Sequence, residues 1–173
     1  MKTAEKGVMR NALRVMITRE LWALDREIAA YPDDESPWKI VPGISNSAGN
    51  LVLHLAGNLR HFVGAAIGGT GYVRDRASEF SATGLSREEL RVQVRTTIAD
   101  LEVAFEKMTD DQLKAEFPLL IGDRKVRAAD WLVPLAVHLG YHLGQIDYHR
   151  RILTQSNSAV DAMSIRELEE LET

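Results

Sequence analysis

Trp131-Leu-Val-Pro-Leu-Ala-Val-His138-Leu-Gly-Tyr-His142-Leu-Gly-Gln145-Ile-Asp-Tyr-His149-Arg-Arg-Ile152-Leu153 carries two stripes of regular spacing at once. Leu132, Ala136, Leu139, Leu143, Ile146 and Leu153 form an apolar seam broken only by Arg150, the signature of a helix packed on a core. Beside that seam run Trp131, Leu135, His138, His142, Gln145, His149 and Ile152, spaced four, three, four, three, four, three. Such spacing normally belongs to leucines facing a partner helix. Here its middle is imidazole and amide. A stripe bounded by Trp131 and Ile152 should lie at least partly inside the protein, so these polar groups need partners. The pattern predicts a helix over residues 128–153, with Pro134 near enough to its start that no kink is required.

The same periodicity extends outward through the chain. Met9, Leu13, Met16, Ile17, Leu21, Leu24 and Ile28 mark one face of a helix over residues 8–28, which Tyr31-Pro-Asp-Asp34 ends. After a loop through Pro37, Pro42 and Gly43, Asn46 or Ser47 can cap a second helix. Its apolar stripe is Leu51, Leu55, Leu59, Phe62 and Ala66, and Gly68-Gly69 ends it. Residues 68–85, rich in Gly, Ser, Asp and Arg, read as surface loop. Ser86-Arg-Glu-Glu89 has the capping-box form and opens a third helix buried through Leu90, Val94, Ile98, Leu101, Phe105 and Met108. Between Ala115 and Arg127 the period changes, and a small hairpin or an extended excursion is expected around Gly122-Asp123. Ser164-Ile-Arg-Glu167 looks like a capping box for a short C-terminal helix. Four long helices without strand alternation predict an all-α four-helix bundle, a single domain over residues 1–173.

Composition narrows the function. A net charge of -4 offers no basic stripe for nucleic acid. The longest apolar run, residues 131–137, falls far short of the roughly 20 residues that a membrane span needs. The opening MKTAEKGVMR lacks the apolar region of a signal peptide, so a cytoplasmic protein is expected. The absence of cysteine removes disulfides, thiolate nucleophiles and zinc-finger sites.

All five histidines fall on the second and fourth predicted helices, where Asn50, His54, Gly57 and His61 flank one apolar stripe as His138, His142 and His149 flank the other. Side chains four apart on a helix lie about 6 Å apart, so His138 and His142 can address one ion. A third imidazole from the facing helix, His54 or His61, completes three nitrogen ligands and leaves a position open, the layout of a catalytic metal site. Seven residues of helix separate His54 from His61 and His142 from His149, about 10.5 Å of rise, so neither pair shares an ion. His61 and His149 are therefore expected to hydrogen-bond carbonyls or water. Asn50 and Gln145 are amides placed to orient an imidazole or a bound cofactor. His138-Leu-Gly-Tyr-His142 lacks the glutamate of a zincin, and no Glu is followed three residues later by His as a di-iron bundle requires. No carboxylate lies on either stripe, which leaves Glu20 or His61 as the groups to approach it in the fold.

Asn50-Leu-Val-Leu-His54-Leu-Ala-Gly-Asn58 together with His138-Leu-Gly-Tyr-His142-Leu-Gly-Gln145 resembles the DinB-like superfamily, also called YfiT-like metal-dependent hydrolases, from the first helix to about Leu153. The resemblance implies a four-helix bundle with a three-histidine site on His54, His138 and His142, holding zinc or nickel, often in a homodimer. Some members are similar to transferases or isomerases that use a low-molecular-weight thiol such as bacillithiol or mycothiol. Two further functions compete with a thiol-dependent transferase or isomerase: a hydrolase using metal-bound hydroxide, and a non-catalytic stress-response or interaction module with a structural metal.

Overall fold

The computed structural model describes residues 7–160, and the C-terminal helix expected after Ser164 lies outside them. Among the described residues there are helices and no strands: α1 (Val8–Ala29), α2 (Ala48–Leu59), α3 (Arg76–Ser81), α4 (Arg87–Lys107), α5 (Asp110–Lys114) and α6 (Ala128–Thr154). α1, α2, α4 and α6 make the bundle. α1 and α2 each pack against both α4 and α6, so α2 and α6, the two histidine-bearing helices, are neighbours.

The predicted seams form the core. Leu13, Ile17, Leu21, Leu24 and Ile28 of α1 meet Leu90, Val94, Leu101 and Phe105 of α4 and Leu132, Leu139, Leu143 and Ile146 of α6, all buried. Truncating any one of these leucines to alanine typically costs about 2–5 kcal/mol, through lost burial plus the cavity left behind. Arg150, the one break in the α6 seam, is also buried, because its guanidinium meets the fully buried Glu27 of α1 at 2.5 Å and Asp147 at 3.0 Å. Asp25, also buried, receives Arg91 and Arg95 from α4.

The helix ends follow their capping residues. Ser47 accepts from the Asn50 amide at 3.1 Å. Ser86 and Glu89 form the reciprocal box at the start of α4. A short 3-10 turn, Ser36–Trp38, is tied by Asp33 accepting from the Ser36 amide at 2.7 Å.

Three segments depart from the expectations. α2 does not run straight on to Gly68: Arg60–Ala65 is a π turn, with the Ala66 amide bonded to the His61 carbonyl and Gly68 to Val63. Residues 68–85 are not simply surface loop, because Asp75 caps the short α3, whose Glu79 is buried. The third departure is the one-turn α5, which no expected helix covered, while the hairpin expected between Ala115 and Arg127 forms in rudimentary shape. Glu116 bridges Arg127, and Ile121 bridges Arg124 around Gly122, whose φ of 64° suits glycine.

Candidate metal centre

α2 and α6 place three imidazoles in one corner of the bundle. One ring nitrogen from each of His54, His138 and His142 lies within 4.8 Å of the others. The rings stand nearly perpendicular to one another, at 85° for His54 and His138, 89° for His54 and His142, and 85° for His138 and His142. His54 Nε2 and His138 Nε2 are 3.3 Å apart. Two nitrogens bound tetrahedrally to zinc at about 2.0–2.1 Å would themselves be roughly 3.3–3.4 Å apart.

The opposite edges of two rings are occupied. His54 Nδ1–H donates to Glu79 Oε2 at 3.0 Å, and His142 Nδ1–H donates to Gln145 Oε1 at 2.6 Å. Each bond fixes the tautomer and leaves Nε2 with its lone pair free, which is how metal-ligating histidines are usually oriented. This donor set could hold a divalent transition-metal ion.

Electrostatics agree with neutral rings at His54 and His138. Burial pushes the His54 imidazole below its ordinary value against the pull of Glu79, with Arg74 and His142 acting in the same direction as burial. His138 falls further, to about 4, through burial and then the neighbouring His142, His54 and Arg74. For Glu79, burial alone would raise the carboxyl, yet its bonds to Arg74 and His54 hold it below its usual range, so it stays ionised. Arg74 clamps it with Nε to Oε1 at 2.6 Å and Nη2 to Oε2 at 2.8 Å.

Glu79 reaches α2 because residue 57 is glycine. A Cβ there would stand 2.9 Å from the Glu79 Cδ and closer still to its oxygen. Asn50 holds the same segment from its other side, donating to the Glu79 carbonyl at 3.1 Å and the Ala82 carbonyl at 2.9 Å. Its role is thus to dock α3 on α2, with Glu79 as the group that meets the imidazole. Gln145 does meet one directly.

The other candidates lie elsewhere. His149 is buried with both nitrogens engaged, Nδ1 with the Tyr31 hydroxyl at 2.7 Å and Nε2 with the Lys39 carbonyl at 2.8 Å. His61 sits in the π turn against the Phe62 ring, half-buried, and burial followed by Arg74 lowers its pKa. Glu20 is buried against Arg19. Arg74 and Glu79 were hidden in the segment that read as loop. Asp75, a strong helix N-cap, and a glycine within the polar stripe of α2 were the available signals.

A cleft of about 440 Å³ opens beside His138, lined by Asn58, Phe62, Leu120, Ile121, Trp131 and Leu135 among others. The hairpin after α5 is its outer wall. No described helix is long and apolar enough to cross a membrane.

Together these features define a helical bundle with an internal three-histidine corner. The chain matches the family model of the DinB superfamily over residues 17–146 and belongs to that superfamily. Comparison with the curated proteins and with the solved structures finds no match.

Proposed function

We propose that this chain holds a divalent cation, zinc or nickel, on His54, His138 and His142 with a coordination position left open, and that it works as a thiol-dependent transferase or isomerase. The observation that carries the reading is the set of imidazoles held from behind by Glu79 and Gln145 and opening beside a cleft. When bound, the cation would supply Lewis acidity that lowers the pKa of a thiol or polarises a substrate carbonyl. The protein's own groups keep His54 and His138 neutral and orient His54 and His142, beside a cleft with largely apolar walls. The thiol must come from a small molecule, because the chain has no cysteine.

A hydrolytic route needs a base for water, and the carboxylate at this site is a poor one. Glu79 is acidified, and both its oxygens are engaged by Arg74 and His54. A structural metal would favour a fourth protein ligand and a closed site. Three imidazoles beside a cleft favour the open one.

The reading extends to a cytoplasmic homodimer of single-domain chains. Val133, Val137, Tyr141 and Tyr148 stand exposed along α6, and Gly140 and Gly144 have open space above them, a face on which a second copy can approach closely. Sedimentation of the full chain tests that part.

Elemental analysis of untagged protein, then absorption spectra of the cobalt form with 2-mercaptoethanol, test the centre. About one metal per chain and a new sulfur-to-cobalt band in the near ultraviolet are expected. Full metal occupancy with no spectral response to thiol would leave the site closed and refute the thiol chemistry.

A further inference from the structure

Gly140 and Gly144 stand inside α6, and a Cβ on either would meet nothing within 4 Å. Glycine is the poorest helix former after proline, so two of them one turn apart weaken a long helix. The glycines of α2 have a reason to be there, since a Cβ on Gly49 would collide with Trp38 and one on Gly57 with Glu79. Among the described residues nothing comes near Gly140 or Gly144 in that way. Both lie on the outer face of α6 with Val133, Val137, Tyr141 and Tyr148, all exposed. Asp130 and Arg151 mark the two ends of that face, and the whole set falls within an arc of about 100°. Between its ends the arc carries no charge. A continuous exposed apolar surface of this kind marks a contact with another molecule.

We infer that α6 packs antiparallel on the α6 of a second copy, about a two-fold axis that passes between residues 140 and 141. The inference rests on the homodimer reading above and adds its register. In this register Tyr141 lies over the partner's Gly140, Val137 over the partner's Gly144, and Val133 beside the partner's Tyr148. Each copy thus sets large side chains over the other's glycines, the self-complementary contact that a two-fold axis requires. Asp130 faces the partner's Arg151. Within its own chain Asp130 already receives Arg127, and Arg151 meets Asp147 and the Asn157 carbonyl, so this rim pair fixes direction more than affinity. A parallel pair would set Tyr141 on Tyr141 and Asp130 on Asp130. An antiparallel pair slid by one heptad would set Val137 on its own copy and Asp130 against the partner's Gly144. With axes inclined by about 20°, as in helical bundles, the favoured pairs stay opposed along the whole arc. The second copy then reaches the metal corner. The Tyr141 ring stands against His142 with centroids 5.3 Å apart, yet it is 64% exposed in one copy, and the partner's Gly140 is what it rests on in the pair. Val133 adjoins Pro134, which lines the cleft beside His138, so the partner's Tyr148 joins the rim of that cleft.

Cross-linking reads the register cleanly, because the full chain has no cysteine of its own. A disulfide needs Cα atoms within about 7 Å of each other. Gly140→Cys lies at the axis and should link to its own copy on oxidation with diamide. Val137→Cys alone should not, because the register sets residue 137 and its copy seven residues apart along the paired helices, about 10.5 Å. Val137→Cys/Gly144→Cys should link as completely as Gly140→Cys. Sedimentation of the wild-type chain, run beside these, tests the dimer itself. Gly144→Leu should raise the dissociation constant of that dimer at least tenfold. It should leave the melting temperature of the dilute monomer no lower, because the space above residue 144 is open within one chain. A wild-type dimer in which Val137→Cys links to itself, or in which Gly140→Cys does not, overturns the register and leaves the homodimer reading standing. A wild type that sediments as a monomer overturns both.

Discussion

Replacing Glu79 by glutamine removes one charge and almost no volume, so it isolates what the carboxylate does. In the native site three donors converge on it: His54 Nδ1 at 3.0 Å, Arg74 Nε at 2.6 Å and Arg74 Nη2 at 2.8 Å. Glutamine keeps one acceptor oxygen and turns an amide N–H₂ toward groups that already donate. Loss of an oriented partner behind a ligating histidine typically weakens metal binding about 10–100-fold, or roughly 1.4–2.7 kcal/mol. The effect should fall at the upper end, because Arg74 Nη2, 3.3 Å from His54 Nδ1, is left without its counter-charge beside an incoming cation. Stability falls as well. Breaking a buried pair costs about 3–5 kcal/mol, and the 11% exposure of the Arg74 side chain softens that to roughly 1–3 kcal/mol. Competition with a chelating dye at pH 7.5 reads the affinity, and melting of the metal-free protein reads the fold. The double variant Arg74→Gln/Glu79→Gln, neutral at both positions, should recover part of each loss. A Glu79→Gln protein that folds normally and binds metal within threefold of wild type would refute the idea that this carboxylate orients His54.

His149→Ala should lower stability by about 1–2 kcal/mol, since it leaves the buried Tyr31 hydroxyl with only its 3.4 Å bond to the Ile146 carbonyl and takes a donor from the Lys39 carbonyl, while bound metal stays at the wild-type ratio on elemental analysis. Gly57→Ala should displace Glu79 and weaken metal binding at least tenfold although alanine is the better helix former; unchanged affinity would mean that α3 gives way at no cost. Chelation should lower the melting temperature of wild type, by about 4 kcal/mol of stabilisation when free metal had been 1,000 times Kd, and leave the His54→Ala/His138→Ala/His142→Ala protein unmoved. Metal-free stability should be flat above about pH 7 and fall on acidification. The folded values of His54, His138 and His149 are depressed, so the unfolded chain takes up protons first as pH drops through about 6.5. His138 alone, near 4 when folded, contributes about 1 kcal/mol of that loss by pH 5.5. Denaturant titrations at pH 7.5 and 5.5 measure it, and equal stability at the two values would contradict neutral burial.

Much of the bundle was legible because burial repeats. Six α4 positions read off as one stripe, Leu90 through Met108, are all buried, and the α6 seam holds except at Leu153, which is only half-buried. Ile152 and Gln145 are exposed despite their place in the polar stripe, since periodicity marks a face and not how far a neighbour extends over it. The histidine corner was visible because α2 and α6 each carry imidazoles beside a seam. Glu79 was not, because its approach depends on a five-residue sequence separation from Arg74 and a tertiary gap at Gly57 that leave no periodic trace. The π turn was hidden for a related reason: a change from four to five residues per hydrogen bond over one turn barely disturbs the apolar spacing.

That π turn gives the chain one residue of slack at the end of α2. Arg60–Ala65 accommodates one residue more than an α-helical path between the same neighbours would. Each residue of helix advances the direction of its side chains by about 100°. Losing one residue from this segment would let it relax into an ordinary helix between the same neighbours and leave the side chains beyond it pointing as before, whereas losing one from the regular part of α2 would swing everything beyond it round by that angle. A loss within regular α2 would carry Gly68 out of its slot, where a Cβ would already press on Ala104 at 2.6 Å. Among homologues this stretch should therefore lose a residue more readily than α2 itself does, with the fully buried Val63 position kept apolar.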